Sequence, residues 1–225
     1  MTHHDAEAQE RAKEAAGRHA ATYVTAGMCV GLGTGSTVRY TILALGEAEL
    51  DISCTATSIE TEEFARSVGL NVQSPDEIAS VDIAIDGADE VDPELNLTKG
   101  GGGALTREKI VAQMGPRFIV VVDESKLVDQ LGPFGTPLEV LPFAPGVVAR
   151  RILDLGAADV RNRGKGSDNG NLLFDADFGL IDDPPALGTL LAEIPGIVEH
   201  GIFPSWMVER VIVASAEGVR ELLPD

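Results

Sequence analysis

The run Phe118 to Val122, "FIVVV", constrains this chain more than any other stretch. Successive apolar residues leave no polar face, so the segment suits a strand covered on both sides, as in a parallel sheet flanked by helices. Its neighbours keep the same rhythm. "MCVGLGTGSTVRYTILALG" reads as a short apolar strand, a glycine turn and a helix ending at Gly46. "DISCTATS" alternates as a strand, "IETEEFARSVG" fits a helix, "VDIAIDGAD" is a buried strand stopping at Asp86, and "TREKIVAQMG" is helical. Ahead of them, "DAEAQERAKEAAGRHAATYV" is an Ala-rich helix closed by Gly27. Alternating βα units of this kind predict an α/β fold with a doubly wound sheet.

Past Pro133 the rhythm changes. "PLEVLP" (strand), "GVVARRILDLGA" (helix), "DVRNR" and "NLLFDADF" (strands around the polar turn "GKGSDNG"), "PALGTLLAEIPG" (helix) and "VEHGIF" (strand) spell βαββαβ, the ferredoxin-like order. "MVERVIVASAEGVRELL" reads as a strand and a helix returning to the first sheet. The expected division is a Rossmann-like domain of residues 1–132 plus 204–225 and a smaller ferredoxin-like α+β domain of residues 133–203.

The chain has 225 residues, 44% of them apolar, and a mean hydropathy of +0.09. No apolar run approaches the ~20 residues a bilayer span needs, and the polar N-terminus lacks a hydrophobic signal core. The cytoplasm is the expected address, with no membrane partner. The net charge is -19, from 36 Asp and Glu against 17 Lys and Arg, so the surface would repel phosphate backbones and nucleic acid is not an expected partner. At molar salt the Debye length falls to about 3 Å and such self-repulsion is screened, which points to a halophilic source. Cys29 and Cys54 lie in apolar stretches without metal spacing or a disulfide framework and read as small buried residues. His3, His4, His19 and His200 are assigned to solvent or structure.

Against this acidity, "DGADEVDPELN" (86–96) and "TKGGGGALTREK" (98–109) place a lysine directly before four glycines and just after several carboxylates. Each ordered glycine costs roughly 0.5–1 kcal/mol relative to alanine, so the run implies a bound group close to the backbone. Asp86 and Asp89 follow a buried strand and fall at the carboxyl end of the sheet, where open α/β sheets bind ligands. Taken alone they also suit an Asx turn. Glu108 opens a helix, where a solvated surface acid is the plain alternative, and Lys126 follows the "FIVVVD" strand. "GLGTGST", Gly31 to Thr37, is either a phosphate cradle or a tight turn with Ser36 and Thr37 as helix caps. Its spacing is not G-x-G-x-x-G, and Thr55, Thr57 and Ser58 stand where a dinucleotide fold wants an acid. The set suits an aldose–ketose rearrangement of a phosphorylated sugar: a base, donors for an enediolate, a carboxyl group to shuttle hydroxyl protons and an anchor for phosphate. That chemistry calls for no metal and no cofactor.

"GLGTGST", "DGADE", "KGGGGALTREK", "DESK", "PLEVLPFA" and "DNGN" occur in an order and spacing that resembles type A ribose-5-phosphate isomerase over nearly the whole chain. The resemblance implies interconversion of D-ribose 5-phosphate and D-ribulose 5-phosphate through a cis-enediolate, in the non-oxidative pentose phosphate pathway, by a homodimer or homotetramer. It implies Glu108 as general base. Asp86 and Asp89, with Gly87 and Ala88 between them, would assist ring opening and bind sugar hydroxyls, and Lys99 with the amides of Gly100, Gly101 and Gly102 would stabilise the oxyanion. Thr34, Gly35, Ser36 and Thr37 would form the substrate-holding loop, with Lys126 and Lys13 on the phosphate side. "FPSWMVERVIVAS" departs from the family form, which bears on subunit contacts and the domain hinge. Two other functions stay open on the residues alone. A coenzyme A transferase would use a carboxylate nucleophile beside a glycine loop. A non-catalytic sugar-phosphate sensor would normally carry a DNA-binding helix-turn-helix, for which the segment before the first strand is too short.

Overall fold

The computed structural model describes residues 3–224, with side chains from residue 7 onward; the side chains of His3 and His4 lie outside the described residues. In chain order the elements are α1 (His3–Ala21), β1 (Cys29–Leu32), α2 (Ser36–Glu47), β2 (Ser53–Ala56), α3 (Ile59–Ser67), β3 (Asn71–Val72), β4 (Ile83–Asp86), β5 (Glu90–Val91), β6 (Leu97–Thr98), α4 (Leu105–Gln113) and β7 (Phe118–Asp123). They continue with β8 (Thr136–Val140), α5 (Pro145–Asp154), β9 (Asp159–Gly166), β10 (Leu172–Asp177), α6 (Pro184–Ala192), β11 (Ile197–His200), β12 (Ile202–Phe203), β13 (Arg210–Ser215) and β14 (Gly218–Leu222). Two compact units form: one from the chain up to Gly87, Arg107–Lys126 and the chain from Trp206, the other from Ala88–Thr106 and Leu127–Ser205.

The first unit is built on a seven-stranded sheet in the order β14-β13-β7-β4-β1-β2-β3. All of its pairings are parallel except the hairpin of β13 and β14. Every residue of β7 is buried, as an unbroken apolar run requires. α1 lays Ala12, Ala16 and Ala20, spaced one turn apart, onto the core with Val30, Leu32, Ile83 and Ile119. The order of strands reverses between β1 and β4, so the crevice beyond their carboxyl ends is the switch point at which such sheets take ligands.

The C-terminal segment, whose composition predicts a helix, is a strand. Gly218, at φ 130°, closes a tight turn against Ser215, and residues 218–222 pair with β13 as a strand. Pairing brings Glu221 onto Arg210 Nη1 at 2.6 Å, His19 at 2.8 Å and the Tyr23 hydroxyl, a cluster that a helix turning away would not make. These partners, Tyr23 first and then His19, hold the Glu221 carboxyl down at about 2.

The second unit contains the expected βαββαβ: a sheet in the order β11-β8-β10-β9, wholly antiparallel, over a core of Leu138, Val140, Val148, Ile152, Phe174 and Leu191. Residues 88–106, placed by sequence with the first domain, instead form β5 and β6, which join β12 in a three-stranded antiparallel sheet of this unit. The predicted single strand "VEHGIF" is correspondingly broken at Gly201. Gly201 N donates to Pro137 O at 2.7 Å, its carbonyl accepts from Lys99 N at 2.8 Å, and a Cβ there would fall 2.2 Å from Lys99 O. Only glycine lets the chain pass between the two sheets.

Candidate active site

In the first unit the switch point gathers the loop after β1 and the end of β4. Asp86, 3% exposed, accepts hydrogen bonds at Oδ1 from Gly87 N at 2.7 Å and Thr34 N at 3.1 Å. A Cβ at Gly33 would overlap the same carboxylate at 2.0 Å, so glycine at this position is required by Asp86 itself. Thr34 Oγ1 sits among the hydroxyls of Thr57 (2.8 Å), Ser58 (2.8 Å) and Thr61 (3.1 Å), all three buried. These props come from the end of β2 and the start of α3. Sequence reasoning noted Thr57 and Ser58 only as the absence of a dinucleotide acid.

α2 begins without a side-chain cap: Gly35 is its N-cap at φ 142°, and the first turn carries no acid. Ser36 and Thr37 are therefore helix residues rather than caps, and the amides of this first turn favour an anion. Lys126, half-buried, ends the short turn after β7 at the same carboxyl edge of the sheet. Lys13 of α1 pairs with Glu10 at 2.7 Å, and Glu10 also accepts from the Tyr40 hydroxyl at 2.9 Å. Glu108 lies in the first turn of α4 and is 4% exposed.

In the second unit Lys99, 2% exposed, sets its Nζ 5.4 Å from the centre of the Phe203 ring, a cation–π arrangement in a dry setting. Asp89, half-buried, accepts the Gly101 amide at Oδ2 at 2.7 Å. The glycine run has an internal explanation that the sequence did not disclose. A Cβ at Gly100, which is at φ 105°, would meet Leu105 at 2.8 Å; one at Gly101 would meet Asp89 at 2.6 Å; one at Gly103, at φ 92°, would meet Leu173 at 2.6 Å. Gly100 and Gly103 are glycine for their left-handed backbone and Gly101 for its closeness to Asp89, so the run alone does not prove a ligand.

Three polar centres of this unit, two of them buried, escaped the sequence. Glu139, fully buried, accepts from Thr106 Oγ1 (2.5 Å), Ser167 Oγ (2.8 Å), Asn169 Nδ2 (3.0 Å) and Asn171 Nδ2 (2.7 Å). Burial pushes its pKa up, and the four donors outweigh that and hold it below the ordinary range. Glu90 accepts from Thr98 Oγ1 at 2.8 Å, Gly132 N at 3.1 Å and Phe134 N at 2.7 Å. Arg163 donates to Gly100 O at 2.8 Å and Gly101 O at 3.2 Å while gripping Asp175. The faint signal was "PLEV" and "DNGN" for Glu139, the last residue of "DGADE" for Glu90 and "DVRNR" for Arg163, stretches in which these three residues show no chemistry in a linear reading.

Other reactive groups have structural surroundings. Burial, aided by Cys29, pushes the Cys54 thiol up to about 12, too high for a nucleophile; Cys29, expected buried, is only partly so. His200 Nδ1 accepts from Ile202 N at 3.3 Å and its ring packs on Gly188. Among the described residues no group of acids, histidines and cysteines has the arrangement of a metal site, and no helix is long and apolar enough to cross a membrane.

Residues 53–218 match the family described as ribose 5-phosphate isomerase A (phosphoriboisomerase A). A relative from Desulfatibacillum aliphaticivorans named ribose-5-phosphate isomerase A is 47% identical over 225 residues, covering 95% of this chain and 97% of its own. The crystal structure of ribose 5 phosphate isomerase A from Neisseria gonorrhoeae superposes with a TM-score of 0.93 at 34% identity, over 96% of this chain and 98% of that one. A D-ribose-5-phosphate isomerase solved in complex with phospho-erythronic acid gives 0.91 at 40% identity, over 95% and 98% of the two chains.

Proposed function

The chain belongs to the ribose 5-phosphate isomerase A family, and from that premise we propose a role for each site residue in the interconversion of ribose 5-phosphate and ribulose 5-phosphate. Asp86 and Asp89 open the furanose ring and hold the sugar hydroxyls, with Gly87 and Ala88 shaping the turn between them. The Glu108 carboxylate takes the proton from C2 of the open aldose, and the electron pair flows toward O1 to give a cis-enediolate. Lys99 and the amides of Gly100, Gly101 and Gly102 hold the developing negative oxygen. Protonated Glu108 then delivers its proton to C1, the hydroxyl proton of O2 passes to O1, and the carbonyl forms at C2. Composition is unchanged, so no oxidant or second substrate enters.

Phosphate is held by Thr34, Gly35, Ser36 and Thr37 at the uncapped start of α2, helped by Lys126 and Lys13. The observation that carries this reading is the burial of Lys99 and Glu108, at 2% and 4% exposure, in a chain of net charge -19 where ionised groups are easily left at the surface. The test is a coupled assay with ribose 5-phosphate on wild type and Glu108→Gln. Replacing the base lowers kcat about 10²–10⁴-fold; a fully active Glu108→Gln protein removes the assignment.

The same proposal places the enzyme in the cytoplasm and in the non-oxidative pentose phosphate pathway. Residues 133–203 serve as lid and oligomerisation domain on this reading, the remainder as the catalytic domain. A homo-oligomer is supported by Phe143, Val147 and Leu141 at 85%, 48% and 45% exposure, apolar groups that a second copy would cover. Light scattering on the purified protein decides it, and a monomer at micromolar concentration counts against it.

A further inference from the structure

A run of glycines has more conformational freedom than any other sequence, so amides carried on it are poor donors unless something aims them. In this chain the aiming group lies far away in sequence. Arg163, on β9 with its side chain 11% exposed, sends Nη1 to Gly100 O at 2.8 Å and to Gly101 O at 3.2 Å. Its Nε reaches Asp175 at 3.1 Å and its Nη2 reaches the same carboxylate at 2.5 Å. The guanidinium is therefore fixed on one edge by a carboxylate and offers the other to two consecutive carbonyls.

A trans peptide points its carbonyl and its N–H in opposite directions. Holding the carbonyls of Gly100 and Gly101 against Arg163 thus turns the next amides, those of Gly101 and Gly102, to the opposite side. The first of them is found there on Asp89, at 2.7 Å. Carbonyl oxygens bound to a cation also cannot swing round to face, and repel, a developing anion.

We infer that Arg163 is a positioning residue which holds the Gly101 amide on Asp89 and turns the Gly102 amide toward the enediolate oxygen, with Asp175 keeping its guanidinium in register. The inference rests on the assignment of the glycine loop as oxyanion donor. Arg163 itself touches no reacting atom.

Steady-state kinetics with ribose 5-phosphate on wild type, Arg163→Ala, Arg163→Lys and Glu108→Gln test it. Loss of the aim lowers kcat of Arg163→Ala about 10–100-fold and leaves KM within about threefold, since misplaced donors cost the transition state more than the ground state. Methylguanidinium restores part of that kcat, and potassium chloride at equal concentration does not, a distinction that a merely structural role would not produce. Arg163→Lys keeps the charge but has no fork for two carbonyls and a carboxylate, so it stays about fivefold or more below wild type. Wild-type kcat in Arg163→Ala, or a loss confined to KM, overturns the inference. Should Arg163→Ala not fold, Arg163→Lys decides: wild-type kcat overturns the inference, and a lowered kcat with unchanged Tm supports it. If Arg163→Ala is fully active while Glu108→Gln is dead, the positioning role fails and the isomerase assignment stands. If Glu108→Gln is fully active, both fall.

Discussion

The Gly101 amide donates to the Asp89 carboxylate at 2.7 Å, and a Cβ on residue 101 would come within 2.6 Å of that carboxylate. Residue 101 is therefore glycine on account of an acid of the "DGAD" segment. The colliding atoms belong to side-chain ends, Asp89 and Phe134, which can yield without unfolding anything. Gly101→Ala is expected to displace Asp89 and cut kcat/KM about tenfold, with stability nearly unchanged. Gly103 differs, because it combines φ 92° with contact on Leu173 at 2.6 Å. Gly103→Ala is expected to cost about 1–3 kcal/mol in stability by urea unfolding. Equal stability losses in the two variants would contradict this division.

Lys126 and Lys13 are assigned to a group of the substrate that does not change during reaction. Removing either should weaken ground state and transition state alike, so Lys126→Ala and Lys13→Ala raise KM by about tenfold with kcat nearly constant. Initial-rate measurements over a range of ribose 5-phosphate decide the matter. A fall in kcat at constant KM would move the lysine concerned to the chemical step.

Glu139 makes stability depend on pH in a predictable direction. Its folded pKa lies below the ordinary 4.5, because four donors outweigh the cost of burial. The ionised carboxylate therefore stabilises the fold above the ordinary value, and the contribution is lost as pH falls through 4.5 toward the folded value. Glu139→Gln turns an amide donor against Thr106, Asn169 and Asn171 and is expected to cost about 1–3 kcal/mol at neutral pH. The gap between variant and wild type should narrow as unfolding is followed down to about pH 4. A gap that stays constant across this range would show that Glu139 acts through packing alone.

A net charge of -19 makes screening by salt a stabilising influence. Between dilute buffer and molar potassium chloride, where the Debye length is about 3 Å, Tm is expected to rise. Calorimetry at several salt concentrations measures this directly, and a flat profile would argue against a high-salt habitat.

Much of the fold was legible because burial writes a period into the sequence. The unbroken "FIVVV" run is a central strand, β4 stops where its apolar residues stop at Asp86, and the βαββαβ order past Pro133 is the order of the second unit. Strands too short to have a period leave no such trace. β5, β6 and β12 have two residues each, and they exist because they pair with one another across the sequence. The C-terminal hairpin was misread because "EGVRELL" has helical composition, whereas its partners Arg210, Tyr23 and His19 lie elsewhere in the chain.

Local order and spacing by themselves settled the longer strands of the central sheet and the helices between them, where "DGAD" and the glycine run fall relative to strand ends, and the family. Tertiary structure alone decided what holds those segments still. The Arg163 guanidinium lies 63 positions from Gly100, and the Asn169 amide 30 positions from Glu139. Hydrogen bonds of that reach depend on how finished elements dock, and a linear pattern of apolar and polar residues carries no record of docking.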